Sequence, residues 1–403
     1  MFSYLDLSLT ILAVLSFISS FLILVFLVST ESRAPQFSES LKTMNYKVRW
    51  TPTAMVSVVV AARNEEEMIE DCLSSLLAQT YPNLEIIAVD DSSSDSTLSL
   101  VSKLSSKDDR LRSISAGKKP EGWVGKTWPC WRGFEESKGD VLVFVDADST
   151  FRPDLLDLCM RYVQERKIDL FSLGPRVKIT GIWARAVLPL ISGAINLLYP
   201  MQKVNDPKSK RAYVFGTFFL VKREVYKKTA GHSTVRSEIV EDAAIANLVK
   251  TAGYTLRVER GIEFLETVWE NDFRSIYVGL ERVFSSSVRG IGYISLLNAI
   301  FLFMVMIYPL IFLLGYVLLG TPNFVLSFGA IAAILNVICL IAVGSFELKT
   351  VRGKISWDAI LYPLGGIIFI AAIVSTARKL GANKELEWKG STYKLPDQKL
   401  PST

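Results

Sequence analysis

Two groups of carboxylates in this sequence stand where hydrophobic runs end. Asp90-Asp91 follows the run Leu84 to Val89, and Asp146-Ala147-Asp148 follows the run Val141 to Val145. Residues two apart in an extended chain point to the same side, so Asp146 and Asp148 can present their oxygens together. Such oxygens suit Mg²⁺ or Mn²⁺ that bridges a diphosphate. Acidic residues after strands also form turns and cap helices, so each group alone leaves both interpretations open.

The segments around these carboxylates alternate between strand and helix patterns. Val56 to Val60 is a β-branched run, and Glu66 to Gln79 has apolar residues on one helical face. Hydrophobic strands that alternate with helices form a mostly parallel sheet covered on both faces. Ligands bind beyond the carboxyl ends of such strands, so both carboxylate groups are expected in one cleft. Residues 55–289 are therefore predicted to form an α/β domain.

Long uncharged segments flank this domain. Half of the 403 residues are hydrophobic, and Leu7 to Val28 is long enough for the roughly 20 residues that cross a bilayer. Residues 290–346 are also uncharged and are interrupted at Thr321-Pro322-Asn323. The stretch Ala359 to Ala377 is also uncharged, and a kink is predicted within it at Pro363-Leu364-Gly365-Gly366. It is predicted either to span the membrane or to re-enter it.

These segments divide the chain and orient it. The predicted divisions are an anchor, a linker, a set of C-terminal membrane helices and a tail, at residues 1–30, 31–54, 290–377 and 378–403. Lys and Arg collect on the cytoplasmic side of membrane spans. Residues 1–6 carry none, whereas 29–50 carry Arg33, Lys42, Lys47 and Arg49. The chain is thus expected to be integral to the cell membrane, with its α/β domain in the cytoplasm.

Composition excludes several classes of function. Lys and Arg number 45 against 40 Asp and Glu, and this balance differs from the basic footprint of a nucleic-acid-binding protein. The four cysteines form no CxxC pair and His232 is the only histidine, so zinc, haem and multi-histidine sites are excluded. The first strand is not followed by a G-x-G-x-x-G sequence, and there is no Walker-type phosphate loop.

Taken in order, the motifs resemble those of family 2 glycosyltransferases with the GT-A fold. The matching segments are Asn64-Glu65-Glu66, Val89-Asp90-Asp91, Val145-Asp146-Ala147-Asp148 and Val240-Glu241-Asp242. Others resemble the membrane-anchored branch that includes carotenoid and hopanoid-pathway glycosyltransferases, with ceramide glucosyltransferases more distant. These are Pro120 to Trp128, Tyr199-Pro200, Val204 to Pro207, Gly231-His232 and Trp388 to Tyr393. The resemblance covers roughly residues 55–290 and the tail segment.

The resemblance implies a nucleotide-sugar donor, most simply a UDP-sugar. Asp91, with Asp90 beside it, would bind the base and ribose, aided by Glu65 and by the backbone near Ala62 and Asn64. Asp148 would ligate the divalent cation, Mg²⁺ or Mn²⁺, and Asp146 would hold sugar hydroxyls. Lys126 would contact a phosphate or the sugar, or else be an exposed loop lysine. Arg282 would hold the diphosphate, or else be a surface arginine beside the membrane.

The resemblance also implies an acceptor side. Asp242 would be the catalytic base, with Glu241 raising its proton affinity by like-charge repulsion; capping of a helix is the alternative. His232 would steady this base or touch a phosphate, or would only hold a loop, and Trp123 would support the acceptor. Two positions depart from the family: Gly279-Leu280-Glu281-Arg282-Val283 keeps only the arginine of a Q/R-x-x-R-W motif, and Ala230 replaces a glycine before Gly231-His232.

Residues 181–204 combine apolar positions at helical spacing with Pro189, Gly193 and Asn196. They are predicted to form either an amphipathic helix in the membrane interface or an ordinary core helix. An interface helix would admit a membrane lipid as acceptor. The resulting hypothesis is inverting transfer of a sugar to a lipid at the cytoplasmic face. The alternatives are a polyprenyl-phosphate sugar synthase, a processive polysaccharide synthase and a catalytically inactive scaffold.

Overall fold

The computed structural model describes residues 3–45, 51–269, 272–288, 292–319, 323–381, 386–388 and 391–393. Some predicted features lie outside these ranges: Lys47, Arg49, Thr321, Pro322, Lys389, Gly390 and residues 394–403. The helices are α1 Tyr4–Glu31, α2 Phe37–Lys42, α3 Ile69–Leu77, α4 Thr97–Ser105, α5 Thr127–Glu136, α6 Leu155–Arg166, α7 Ile182–Leu198, α8 Met201–Asn205, α9 Arg223–Lys228, α10 Gly231–Thr234, α11 Glu241–Thr251, α12 Phe273–Val288, α13 Gly292–Leu302, α14 Tyr308–Leu319, α15 Phe324–Arg352 and α16 Tyr362–Gly381. A π-helix, Phe303–Ile307, joins α13 to α14, and a 3-10 helix, Trp357–Leu361, precedes α16.

The strands are β1 Val56–Ala62, β2 Leu84–Asp90, β3 Leu111–Ser115, β4 Val141–Asp146, β5 Ser149–Phe151, β6 Leu170–Gly174, β7 Arg176–Lys178, β8 Phe218–Lys222, β9 Leu256–Arg260, β10 Leu265–Val268, β11 Leu386–Trp388 and β12 Ser391–Tyr393. Seven of them form one sheet in the order β3-β2-β1-β4-β8-β6-β9. All neighbours pair in parallel except β8, which is antiparallel to β4 and β6. The predicted α/β architecture with a mostly parallel sheet is confirmed.

Helices cover both faces of this sheet because its strands are buried on both sides. β2 is buried along its whole length. One face packs against α3 and α6, and the other packs against α5 and α11. The four cysteines are free and buried, as predicted. A smaller sheet, in the order β5-β10-β7, lies beside the large one.

The segment predicted as a linker is partly built into the core. It contains α2, whose Phe37 is fully buried and packs against the rings of Tyr162, Phe171 and Phe264. The prediction of a linker over residues 31–54 is therefore wrong for this part. An aromatic residue in this position removes a large apolar surface from water, which ties the end of the anchor helix to the α/β domain.

Within the described ranges, four helical segments have the length and composition to cross a membrane: Tyr4–Glu31, Leu296–Leu319, Phe324–Arg352 and Trp357–Lys379. Helices α1 and α15 run side by side in the same direction. The Asn323 amide donates to Asp6 Oδ2 at 3.0 Å, and Thr10 Oγ1 donates to the Val325 carbonyl at 3.0 Å. The beginnings of α1 and α15 therefore lie on the same side of the helical bundle.

The predicted kink over Pro363 to Gly366 does not break the helix. Helix α16 is continuous from Tyr362 to Gly381, and Pro363 lies in its first turn. A proline is tolerated in a first turn because its missing N–H would have no intrahelical partner there. The apolar stretch begins before Pro363 in the sequence, but α16 begins only at Tyr362, one residue before the proline.

Residues 181–204 form two helices, α7 and α8. The side chains of Val187, Leu188 and Leu190 are buried and belong to the cluster that includes residues of α15 and α16. Much of the apolar face of α7 is thus covered by membrane-type helices. Ile182 and Leu198, at the two ends of α7, are more than half exposed. Helix α7 therefore packs the α/β domain against the membrane helices, and its depth in a bilayer stays a prediction.

Gly365 lies at a close contact between α16 and α7. A Cβ atom at this position would overlap the carbonyl oxygen of Ala186. We expect Gly365→Ala to lower the unfolding temperature in detergent, at a cost of about 1–3 kcal/mol, because the overlap forces the two helices apart. Gly315→Ala is the matched control, since nothing lies within 4 Å of the added atom. Equal unfolding temperatures for the two variants would contradict the close packing of α7 on α16.

Candidate active site

The carboxyl ends of β1, β2 and β4 meet at one edge of the sheet. In the strand register Ala62 is opposite Asp90, and Ala61 is opposite Asp146. The backbone N–H of Asp91 donates to the Ala62 carbonyl at 2.9 Å. The predicted convergence of the two carboxylate groups is therefore present, because neighbouring parallel strands bring their ends to the same edge.

Asp91 faces two cations that the sequence analysis did not identify. Its carboxylate is nearly buried and lies 3.0 Å from Lys119 Nζ and 3.7 Å from Arg63 Nη1. These two cations offset the cost of burying the charge. The pair could have been sought in the sequence, since Arg63 directly follows the first strand, but nothing in the pattern links Lys119 to it.

The other residues of the predicted nucleotide site form hydrogen bonds within and between the loops after β1 and β2. Asp90 accepts from the Ser93 backbone N–H at 3.3 Å, as in a turn stabilised by an aspartate side chain. Asn64 adopts a positive φ of 53° and accepts from the Ser94 N–H at 2.8 Å. The Glu65 N–H donates to Thr97 Oγ1 at 2.8 Å. The loops after β1 and β2 are thus bonded to each other.

Asp148 lies in an electrostatically strained position. Its Oδ1 accepts from Thr267 Oγ1 at 3.0 Å and from Ser149 Oγ at 3.2 Å. Burial, followed by repulsion from Asp146 and Glu65, raises the pKa of Asp148 to about 7. A cation would relieve this repulsion because it favours the ionised form.

The donor set fits a divalent cation that is bound together with a substrate. Within the described ranges there is no cluster of three or more His, Cys, Asp or Glu side chains that could hold a metal by itself. Magnesium is commonly held by one or two carboxylates, with substrate phosphates and water supplying the other oxygens. Asp146 and Asp148 are the two carboxylates at the end of β4 with the chemistry for such a site, and their binding of a cation stays a prediction.

Lys126 joins the two halves of the site. Its Nζ lies 2.8 Å from Asp146 Oδ1 and 3.0 Å from Glu241 Oε1. Burial disfavours its charge, yet Asp146 and Glu241 outweigh this effect and hold the pKa of Lys126 well above its usual value. The alternative of an exposed loop lysine is wrong. Lys126 connects the end of β4 to the beginning of α11.

The loop that carries Lys126 is hydrogen-bonded to the backbone of Arg236. Gly122 and Gly125 have positive φ values of 82° and 54°. Between these glycines, the Val124 N–H donates to the Arg236 carbonyl at 2.9 Å. After them, Thr127 Oγ1 donates to the same carbonyl at 3.0 Å. A residue with a Cβ atom is strained at such positive φ values, whereas glycine is not, which explains the glycines in this motif.

Asp242 lies in the first turn of α11. Its Oδ2 accepts from the Gly216 N–H at 3.1 Å, and its Oδ1 accepts from the Ala243 N–H at 2.7 Å. Burial, followed by repulsion from Glu241, raises the pKa of Asp242 to about 7. A side chain at position 216 would meet both Asp242 and Lys126, within 3.0 and 3.1 Å of a Cβ atom. Gly216 therefore leaves room for these two groups to face each other.

His232 is held by local contacts. It is fully buried, its Nδ1 is 2.6 Å from the Tyr226 hydroxyl, and its ring packs against Phe144 and Phe219. Burial lowers the pKa of His232 to about 3, so the ring is neutral. Its described hydrogen bonds and ring contacts include none with Lys126, Glu241 or Asp242, so a role in steadying the base or touching a phosphate stays a prediction. The alternative, a residue that holds local structure, describes its contacts.

Trp123 and Arg282 lie on different elements, the loop before α5 and helix α12. The Trp123 ring packs edge-on against Trp128, with centroids 5.0 Å apart, and so stabilises the loop that carries Lys126. Arg282 lies on α12, a helix that packs against α16 and α7. Their roles toward an acceptor and a diphosphate stay predictions.

The rate of a reaction that uses Asp242 as base is expected to rise with pH around neutrality. A base must be ionised, and the raised pKa of about 7 places this ionisation between roughly pH 6 and 8. Glu241→Gln should move the midpoint to lower pH, because it removes the repulsion that raises the pKa. The measurement is turnover at saturating donor across this range for both proteins. Identical, flat profiles would exclude Asp242 as the titrating base.

Comparison with known proteins identifies the family of the domain that contains this site. Residues 57–230 match the family model described as glycosyl transferase family 2. The chain carries a family 2 glycosyltransferase domain. The match ends before Asp242, so the proposed base lies beyond it. The domain's fold and its succession of motifs agree with this assignment, and the predicted family is confirmed.

Individual relatives agree with the domain assignment. The chain is 24% identical over 252 residues to 4,4'-diaponeurosporenoate glycosyltransferase from Staphylococcus aureus, strain USA300. The match covers 62% of this chain and 64% of that protein. A mannosyltransferase from Pyrobaculum calidifontis, solved in complex with GDP-Man and Mn²⁺, has the same fold. It is 16% identical, with a TM-score of 0.50 over 92% of this chain and 98% of that one.

Proposed function

We propose that this protein transfers a sugar from a nucleotide-diphosphate sugar to a membrane lipid. The observation that carries the proposal is the position of Lys126, which contacts Asp146 on one side and Glu241 on the other. Asp146 belongs to the strand-end group expected to bind the donor. Glu241 precedes Asp242, the proposed base. A donor and an acceptor hydroxyl, carboxyl or phosphate would therefore meet within the reach of one lysine.

The donor half of the site is the part around Asp91. Its carboxylate accepts hydrogen bonds and is already held by Lys119 and Arg63. A nucleoside base and ribose offer N–H and O–H donors to such a carboxylate, and the flanking cations can meet phosphate oxygens. A UDP-sugar is the donor that we propose.

Asp148, with Asp146, would hold Mg²⁺ or Mn²⁺ against the diphosphate. The Pyrobaculum structure was solved with GDP-Man and Mn²⁺, which supports a divalent cation in this fold. The cation would neutralise charge that develops on the departing diphosphate. Lys126 adds a second positive charge beside Asp146. Ser149 and Thr267 hold the Asp148 carboxylate in place through their hydroxyl groups.

Asp242 takes the proton of the acceptor. At its raised pKa it is partly ionised at neutral pH and is a stronger base than an ordinary aspartate. The Gly216 and Ala243 N–H groups orient its carboxylate. With Asp242 as base, the step is a single displacement: the acceptor oxygen attacks the anomeric carbon, the bond from that carbon to the diphosphate breaks, and the configuration is inverted.

The acceptor is proposed to come from the membrane. Arg260 of β9 lies 2.7 Å from Glu31 of α1 and 3.2 Å from Asn196 Oδ1 of α7, and Asn196 also donates to Glu347 of α15 at 3.0 Å. This buried network fixes the catalytic domain to the membrane helices. The charge distribution around the spans supports a cytoplasmic position for that domain. The relative named for 4,4'-diaponeurosporenoate supports an acceptor other than a growing polysaccharide.

The test is transfer in membranes that contain the full chain. Labelled UDP-, GDP- and other nucleotide sugars would be supplied in turn, and extracted lipids, soluble sugars and polymer would be separated. We expect label in a lipid with one donor, and opposite anomeric configurations in donor and product by NMR. Label only in polymer would indicate a polysaccharide synthase. Label only in polyprenyl phosphate would indicate the corresponding synthase.

A further inference from the structure

A groove lies between α12 and α16, outside the proposed active site. Its volume is about 610 Å³. Its apolar wall is formed by one face of α16, which carries Ile367, Ile370, Ala371 and Val374. These residues are spaced by three and four positions, so they lie in one row along the helix. Ile367 is about half exposed, and the groove is therefore open to the surroundings of the helix.

The far end of the groove is polar and positively charged. Tyr277, Ser375, Arg378 and Lys379 line it. Lys379 Nζ and Ser375 Oγ each donate to the buried carboxylate of Glu281, at 2.6 Å. This pairing locks α12 against α16 and neutralises Lys379. The net positive charge of this end therefore comes from Arg378, which is exposed.

Arg378 is available for a ligand. Among the described side chains, the ion pair at this end of the groove joins Glu281 to Lys379 rather than to Arg378. An exposed guanidinium beside an apolar groove suits an anionic group, because it can donate two parallel hydrogen bonds to a phosphate or carboxylate. From Ile367 to Arg378 the helix rises about 16 Å, so a long apolar chain can lie along the wall while its head reaches the arginine.

We propose that this groove binds a membrane lipid with an anionic headgroup. The apolar chain lies along Ile367, Ile370 and Val374, and the headgroup pairs with Arg378. The charged residues of α12 and the end of α16 put this part of the protein at the depth of lipid headgroups, because unpaired charges are costly in the hydrocarbon. The lipid holds α12, which leads directly out of the catalytic domain, against the last membrane helix. This inference does not depend on the identity of the sugar or the acceptor.

The test is lipid retention by the purified full chain, without turnover. Protein in detergent would be given equal amounts of phosphatidylglycerol and phosphatidylcholine, and the bound lipids counted by native mass spectrometry. We expect the parent protein to retain phosphatidylglycerol several-fold in excess. Arg378→Gln should remove this preference, and Val374→Trp, which fills the groove, should remove both lipids.

Two control variants change residues outside the groove, to show that any loss of lipid is specific to it. Lys349→Gln removes an exposed basic residue at the end of α15, and Ile338→Trp enlarges an exposed apolar residue on the same helix. Both should retain the anionic lipid like the parent protein. Equal retention by Arg378→Gln and Lys349→Gln, or by Val374→Trp and Ile338→Trp, would overturn the proposal. Donor binding measured on the same samples reports on the catalytic domain separately.

Discussion

Asp242→Asn is expected to abolish most turnover while donor affinity stays close to that of the parent protein. The amide keeps the shape of the side chain and one acceptor oxygen for the Gly216 or Ala243 N–H, but it cannot take a proton. Loss of a general base typically costs ~10²–10⁴-fold in rate. Because the base acts in the transition state, the loss should appear in kcat and leave donor binding largely intact.

The measurement is steady-state transfer together with titration of the donor nucleotide. Asp109→Asn is a suitable control, since this carboxylate is exposed and precedes β3, away from the strand ends. It should transfer at the parent rate. If Asp242→Asn also did so, another group would take the proton and the proposed acceptor side would be wrong.

Asp148→Asn should weaken donor binding and lower transfer by roughly 10²–10³-fold, the scale observed when one preorganised electrostatic contact is removed. The carboxylate would be a cation ligand, and an amide carries no charge to attract Mg²⁺ or Mn²⁺. Chelation with EDTA should silence the parent protein, and added Mn²⁺ or Mg²⁺ should restore it. The variant should need far more cation for the same donor affinity.

Asp154→Asn serves as the comparison for this second change. Asp154 pairs with Arg152 on the surface before α6, so its loss should leave the cation requirement unchanged. Full activity of the parent protein in EDTA would remove the cation from the account. It would leave Lys126 as the group that meets the leaving diphosphate.

The elements that hold the site could be predicted because their signals are local. β1, β2 and β4 are mostly apolar runs, and the position of the carboxylates that end β2 and β4 follows from the rule that neighbouring parallel strands end at one edge. The Glu241-Asp242 pair at the beginning of α11 was found through resemblance to a family motif. Its contact with Lys126 joins segments far apart in sequence, and no local pattern specifies such a contact.

Other features depend on tertiary packing and could not be predicted. Phe37 was assigned to a linker because its ring partners, Tyr162, Phe171 and Phe264, are far away in the sequence. His232 is a polar residue near a motif, and its burial against Phe144 is invisible in the sequence. Polar residues of this kind invite functional interpretation, although many serve only the fold.

The most direct test of the account is the fate of a labelled sugar in membranes that carry either the parent protein or Asp242→Asn. Both samples would receive the same nucleotide sugar with Mn²⁺, and label would be counted in the extracted lipids. The account predicts lipid-linked label with the parent protein and at least ~10²-fold less with the variant, while both bind the donor. Equal lipid labelling by the two proteins, or no lipid labelling by the parent with any nucleotide sugar, would contradict it.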